Sequence, residues 1–399
     1  MSPVDGGLGA DFELSLFTLM KLSQKVGLDA AGATPAEPFP ELVSLLQDYD
    51  KRGRTGFEAA NIEDRIQPKR WWAPAQSLIA VALAYLTPQG QVTAHSHPPG
   101  RGPRGQVSVY AYGQDYHRVL HQRMEQLALA IQDHLGRQVQ YRIAVDTSPL
   151  VDRRVAERAG LGWVGKNCML FTSEHGSFVF LGTLLTDVVV ESANTTVPAP
   201  CGTCTRCIDA CPTGALLAPG VIDATKCLSF STQMKGSIPK DYRVAMGKRV
   251  WGCDTCQWAC PENRKVCSSN HGEFNPTSEL AYPQLLEILR WSNREFARRL
   301  GGTAAAWRGL HTWQRNALIA LGNTRNPQSV PDVIPYLSHS RGELRASAAW
   351  ALERIGGEQA RQAVHERWQV ESEEWVKEEM LWAVARYNSC TEEADLLRP

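Results

Sequence analysis

No stretch of this chain is apolar for long enough to cross a bilayer. The longest clean run, Leu78 to Leu86, covers nine residues, against the roughly 20 that a spanning helix needs, so it reads as a buried strand. An excess of one charge is lacking too: lysine plus arginine total 42, and aspartate plus glutamate total 42. Charge alone therefore announces no nucleic-acid or membrane partner, although local patches still can. Met1 to Ala10 has no basic segment and no twin arginine, so no export signal is read there. These absences predict a soluble, cytoplasmic protein.

A disulfide scaffold is excluded on other grounds. Such scaffolds are short and secreted, whereas this chain has 399 residues, enough for two or three domains. Of its 11 cysteines, most fall in spacings that suit metal rather than each other. The run Cys201-Gly-Thr-Cys204-Thr-Arg-Cys207-Ile-Asp-Ala-Cys211 is closed by Pro212. Gaps of two, two and three residues before a proline match the bacterial ferredoxin pattern for a 4Fe–4S cluster. Cys227 and a second run, Cys253, Cys256, Cys260 and Pro261, follow.

A tight loop aims three thiolates at one cube, while the fourth cysteine, before proline, serves the other cluster. That logic assigns Cys201, Cys204, Cys207 and Cys260 to one 4Fe–4S cluster, and Cys211, Cys227, Cys253 and Cys256 to a second. Zinc also takes C-x-x-C pairs, but rarely three cysteines at two-residue gaps closed by proline. Cys168, Cys267 and Cys390 are left over, and Cys168 reads as a buried free thiol.

Around the cysteines the chain divides into 1–195, 196–275 and 276–399. In the first part helical and strand patterns alternate. Phe12, Leu16, Leu19, Met20 and Val26 form one helix face, Leu42 to Leu46 a second helix, His117 to Leu135 a long helix and Val151 to Ala159 another. Strands are expected at Gln76–Leu86, Gln140–Val145, Cys168–Phe171 and Ser177–Leu185, with a Pro/Gly/His-rich loop at His95–Gly105 and a linker at Thr195–Pro200. This is α+β. The last part is all helical and repeats: Ala317 to Gly322 resembles Ala348 to Glu353, and Met380 to Ala385 recurs again, at spacings of about 31 to 32 residues, which indicates HEAT-like units.

Two motifs are decoys. Gly160-Leu-Gly162-Trp-Val-Gly165-Lys166 fits G-x-G-x-x-G and almost fits a P-loop, but it follows a helix and precedes a strand, and Asn167 stands where a P-loop needs Ser or Thr. Asp115-Tyr116-His117 approaches the D-x-H-x-x-G motif that presents histidine to cobalt, without its glycine. His117 and His121 share a helix face with no third ligand in sight, and read as residues of a polar cleft or of the surface.

Tyr110-Ala-Tyr-Gly113-Gln-Asp115-Tyr116-His117, Val145-Asp146-Thr147-Ser148-Pro149, Ala159 to Asn167, Cys227-Leu-Ser229, Lys235-Gly236-Ser-Ile-Pro239 and Gly252-Cys253-Asp254-Thr-Cys256-Gln257 occur in one chain. The combination closely resembles the epoxyqueuosine reductase family over essentially the whole length. The resemblance implies a nitroreductase-like corrinoid-binding domain, a bacterial two-cluster ferredoxin-like domain and a HEAT-like tail. It also implies cobalamin as a further cofactor, and an epoxide on the wobble base of a tRNA anticodon stem-loop as substrate. Two electrons and two protons remove the epoxide oxygen as water, with an external electron donor and a monomeric enzyme. Because clusters pass electrons singly, a cofactor that accumulates reducing power is needed, which cobalamin satisfies.

By the same resemblance Asp146 is the acid. A carboxyl of ordinary pKa, about 3.9, would need to rise by roughly 3 units, about 4 kcal/mol, to hold a proton at neutral pH, so Asp146 is expected to be buried against a corrin face or an apolar wall. A helix N-cap before Pro149 is its other reading. Cobalamin contacts carried over are Arg65, Asp146, Leu170, Thr172, Ser229, Cys253 and Asp254, with a surface arginine the alternative for Arg65. Ser231 and Thr232 match tRNA-contact positions; the family continues T-I-E-x-K-G, whereas this chain reads Thr232-Gln233-Met234-Lys235-Gly236, which leaves Gln233 and Met234 unassigned. Lys235, Lys240, Arg243, Lys248 and Arg249 form a basic run suited to RNA phosphates or to plain solvation. Two other functions stay open: a corrinoid reductive dehalogenase, which typically has a twin-arginine signal and needs no helical tail, and a non-enzymatic electron-transfer or scaffold protein.

Overall fold

The computed structural model describes residues 12–96, 102–193, 197–264 and 266–396. The N-terminal segment read for an export signal, the middle of the loop at 95–105 and the head of the linker at 195–200 lie outside the described residues.

A four-stranded antiparallel sheet, in the order Ala30–Pro35, Ser77–Ala84, Val179–Thr186, Tyr141–Ala144, forms the first layer. Every residue of Ser77–Ala84 is buried. Ile79, Val81 and Leu83 enter one core with Leu19, Leu120, Met124 and Leu127, from the helices Leu16–Lys25 and Tyr116–Leu135. Leu78, Ala80, Ala82 and Ala84 enter a second core with Leu46, Val155 and Ala156, from the helices Val43–Arg52 and Asp152–Arg158. Successive strand side chains point to opposite faces, so a strand covered on both faces needs apolar residues throughout. That is why the run reads as continuous rather than alternating. The expected first helix face is only partly inward: Leu19 is buried, Met20 remains exposed because the helix lies on the surface of the first core, and Phe12 precedes the helix and is exposed.

The glycine motif has a structural cause. Gly160, at φ +78°, follows the end of the helix Asp152–Arg158 in a conformation that favours glycine. The backbone carbonyl of Phe171 occupies the place where a Cβ on Gly162 would stand, so the hairpin of Trp163–Val164 with Leu170–Phe171 can close.

The three expected regions share one core. Gln106–Val107 pairs in parallel with Arg249–Trp251, beyond the first cysteine run. Trp251 is fully buried, donates a 2.8 Å hydrogen bond to the hydroxyl of Tyr110, and stacks on Trp313 of the tail at 5.8 Å. The repeats are the helices Leu310–Thr324, Gly342–Ile355 and Glu374–Leu396, packed in succession. The fully buried Arg315 fastens the first of these to the cysteine region, donating to the carbonyls of Met234 and Gly236 at 2.7 Å and to those of Ser231 and Thr232.

Candidate active site

Between the sheet's second face and the cysteine region lies a cavity of about 630 Å³, within the range of cofactor sites. The strand Tyr141–Ala144 leads into it. Val145 is still buried, and Asp146 then turns the chain out at φ +52°, one of few non-glycine residues in the left-handed region. Such conformations cost about 1 kcal/mol or more and gather at functional sites.

Asp146 lines the cavity with its side chain exposed to it, because the turn lifts it off the sheet. Its carboxylate accepts a 2.8 Å hydrogen bond from Tyr116. Tyr116 stacks on Phe180 at 4.2 Å and on His117 at 4.0 Å. Burial first, then the charge of Asp146, raises the Tyr116 phenol well above its ordinary pKa, which keeps it a donor. His117 is engaged by Asp115 at 2.7 Å and His121 lies 3.7 Å from Glu125, so each histidine has its own carboxylate.

Cys211, Cys227, Cys253 and Cys256 line this cavity. Cys201, Cys204, Cys207 and Cys260 surround a second, smaller one of about 40 Å³. Among the described residues no three His, Cys, Asp or Glu side chains could hold a single metal ion. The cysteines ring two spaces instead. Burial works against a thiolate at Cys211, yet the backbone N–H groups of Leu216, Thr213 and Ala215 bring its pKa below that of a free thiol, as a metal ligand requires. Burial pushes the thiols of Cys207, Cys227, Cys256 and Cys260 up. Lys166, from the glycine motif, donates to the carbonyls of Gly202 and Cys204 at 2.6 and 2.9 Å and so braces the first cysteine loop.

Arg65, Leu170, Ser229, Cys253 and Asp254 also line the large cavity. Arg65 is buried rather than a surface arginine, and its Nη1 has no protein partner; the same is true of Nε on Arg52 and Arg154, which line the cavity as well. Three of the carried-over sites are engaged within the protein itself. Thr172 does not line the cavity: it is buried in a turn, where it bonds Gly176 and His175. Asp254 reaches the cavity, but its carboxylate accepts from the Ser108 hydroxyl and the Val109 N–H, so it ties two segments together. Ser231 and Thr232 are both 0% exposed, their hydroxyls bonded to the carbonyls of Cys227 and Ser229, so neither side chain faces a bound RNA.

The basic run is divided in the same way. Arg243 is fully buried against Glu379 at 3.0 Å, Lys240 lies 3.6 Å from the same carboxylate, and Arg249 bonds Thr255. Lys235 and Lys248 are the exposed members. The structure adds a feature the sequence reading missed. Phe57, on the cavity rim, lies 5.3 Å from Phe230 and 5.4 Å from Trp307. Arg308 stands 3.8 Å over the Trp307 ring. Gln233 holds both tail residues, accepting from Trp307 Nε1 at 3.1 Å and from Arg308 Nε at 2.7 Å. Trp307 is 54% exposed and Phe57 47%. The adjacent Trp307 and Arg308 were the local signal for it. Cys168 also lines the cavity, half-buried, and burial pushes its thiol up.

Comparison with known proteins gives a consistent result. The family described as epoxyqueuosine reductase QueG, DUF1730, matches residues 65–147; a 4Fe–4S double cluster binding domain matches 200–263, and HEAT repeats match 312–385. An epoxyqueuosine reductase of Bacillus anthracis is 40% identical over 93% of this chain and 97% of its own. A crystal structure of epoxyqueuosine reductase with an epoxyqueuosine-modified tRNA-Tyr stem loop superposes with a TM-score of 0.85 at 35% identity, covering 92% of this chain and 97% of that one. A Bacillus subtilis epoxyqueuosine reductase with its catalytic aspartate loop swung out of the active site is equally similar, with a TM-score of 0.85 at 35% identity and the same coverage.

Proposed function

The chain belongs to the epoxyqueuosine reductase family, and from that premise we infer that it reduces epoxyqueuosine in tRNA to queuosine, in the cytoplasm where its tRNA resides. Family membership decides against the dehalogenase and the non-catalytic electron carrier. The observation that carries the reading is one cavity in which an acid, a phenol donor and four cysteines meet.

The residues present fit the cofactors that the family implies. Four thiols around each of two spaces suit two 4Fe–4S clusters. Unpartnered donors on Arg52, Arg65 and Arg154 suit a large ligand ringed by carbonyls, as the amide-bearing edge of cobalamin is. Arg65, Leu170, Ser229 and Cys253 would hold that ligand. Bound here, cobalamin supplies the reducing power for the epoxide, and the clusters supply its electrons.

The chain supplies position, protons and exclusion of water. Asp146 protonates the departing oxygen, and Tyr116 fixes the direction of its carboxyl. Phe57, Trp307 and Arg308 offer a stacking surface at the rim for an anticodon-loop base. RNA loops are recognised by splayed bases on aromatic and guanidinium planes, and a base held there leaves its neighbour free to enter the cavity. Lys235 and Lys248 remain available to phosphates.

The test is direct. Protein reconstituted with clusters and cobalamin is given epoxyqueuosine tRNA and a strong reductant, and the digested nucleosides are weighed. Loss of one oxygen is the expected result; intact epoxyqueuosine with both cofactors in place would overturn the reading.

A further inference from the structure

Removing one epoxide oxygen as water consumes two protons, and the reading above names a single acid, Asp146. A second carboxyl in the cavity has no role yet. Asp152 opens the helix Asp152–Arg158, six positions after Asp146, and lines the same cavity. Thr183 donates a 3.4 Å hydrogen bond to its Oδ1. Its helix packs against the strands Ala30–Pro35, Ser77–Ala84, Trp163–Val164, Leu170–Phe171 and Val179–Thr186. None of these five strands contains an ionisable residue.

The charged groups that act on Asp152 are therefore few: Asp146 across the loop, and Arg153 on its own helix. Burial, then the negative charge of Asp146, push its pKa up to about 7, against the Thr183 hydrogen bond and the charge of Arg153. A carboxyl in that range is protonated about half the time at neutral pH, against about one part in a thousand for an ordinary one.

On the basis of the proposed reaction, we propose that Asp152 is the proton store of this active site and reloads Asp146 during turnover. Asp152 passes its proton to the Asp146 carboxylate, which gives it to the oxygen as the first C–O bond breaks and an O–H bond forms. Solvent reprotonates Asp152, and Asp152 reloads Asp146. That second proton completes water as the second C–O bond breaks. The two electrons come from the external donor through the clusters, as the family's reaction already requires. Asp152 acts through Asp146 and is thus a positioning residue, not a group in contact with substrate.

The test has two arms on the cofactor-loaded enzyme. Infrared difference spectra without substrate follow protonated carboxyls from pH 5 to 9 in the wild type, Asp152→Asn, Asp152→Glu and Asp146→Asn. A carboxyl signal titrating near pH 7 is expected in the wild type, absent from Asp152→Asn, restored in Asp152→Glu, and moved to lower pH in Asp146→Asn, where the neighbouring charge is gone. Single-turnover rates give the second arm: the wild-type rate falls about tenfold per unit above its midpoint, and Asp152→Asn moves that midpoint down by a unit or more. A signal near pH 7 that survives in Asp152→Asn, or an unchanged rate profile, would overturn the proposal. The infrared arm needs no substrate, so a protein that titrates as expected yet leaves epoxyqueuosine intact counts against the function and not against the role of Asp152.

Discussion

The hydroxyl of Tyr116 points at Asp146, donating a 2.8 Å hydrogen bond to Oδ2. The two residues differ in their surroundings. Tyr116 is clamped between Phe180 and His117, whereas Asp146 sits exposed in a left-handed turn. A stacked donor therefore aims an exposed acid. Tyr116→Phe keeps the stack and deletes the bond. Hydrogen bonds to charged groups are worth about 1.5–3 kcal/mol, so the single-turnover rate should fall about 10- to 100-fold with tRNA affinity unchanged. Rapid-quench kinetics beside a binding titration check this; an unaltered rate would remove Tyr116 from the site.

The cysteine sets make a prediction about exchange between runs. Cys211 lies in the first run but lines the cavity with Cys227, Cys253 and Cys256. Cys260 lies in the second run but lines the other space. Cys211→Ser should therefore damage the same cluster as Cys253→Ser, and Cys260→Ser the same one as Cys201→Ser. Each variant should lose up to about half the iron, with paramagnetic resonance identifying the survivor. A survivor that follows sequence order would refute the exchange.

Much of this was legible because it is local. Cysteine spacing, the apolar strand and the 31-residue helical echo each lie within a short window. What was missed depends on distant segments. Ser231 and Thr232 were matched by position, but Arg315, 84 and 83 residues away, holds their carbonyls and helps fix the helix that turns them inward. Arg243 reads as one of a basic run until Glu379 of the last helix meets it, 136 residues on. Asp152 carries no signal at all, since its surroundings come from five strands scattered along the chain. The turn at Asp146 was not legible either, because a positive φ cannot be read from an aspartate.

The aromatic rim gives a binding prediction. Base stacking on an aromatic ring contributes about 1–3 kcal/mol, so Trp307→Ala should weaken binding of a modified stem-loop about 5- to 150-fold. Its slope against salt should stay the same, because no phosphate contact is lost. Cofactor spectra should not change. Fluorescence anisotropy at several salt concentrations decides it, and wild-type affinity in the variant would exclude the platform.

Stability should carry the mark of Asp152. Its pKa in the fold, about 7, is raised above the ordinary value, so its contribution is fully present below about pH 4 and is lost as pH climbs through 7. Asp152→Asn removes that loss. Between pH 5 and pH 8 the variant should gain roughly 2–3 kcal/mol on the wild type, read from urea midpoints at equal cofactor loading. Parallel pH curves would contradict the burial of this carboxyl.

The account stands or falls on where the oxygen is lost. Wild-type protein and Asp146→Asn, each verified to contain both clusters and cobalamin, are mixed with an epoxyqueuosine stem-loop and reductant, and the nucleosides are weighed after a single turnover. The account predicts queuosine from the wild type and a rate at least about 100-fold lower in the variant, in line with the loss of a general acid. Equal conversion by both proteins, or none by the fully loaded wild type, would contradict it.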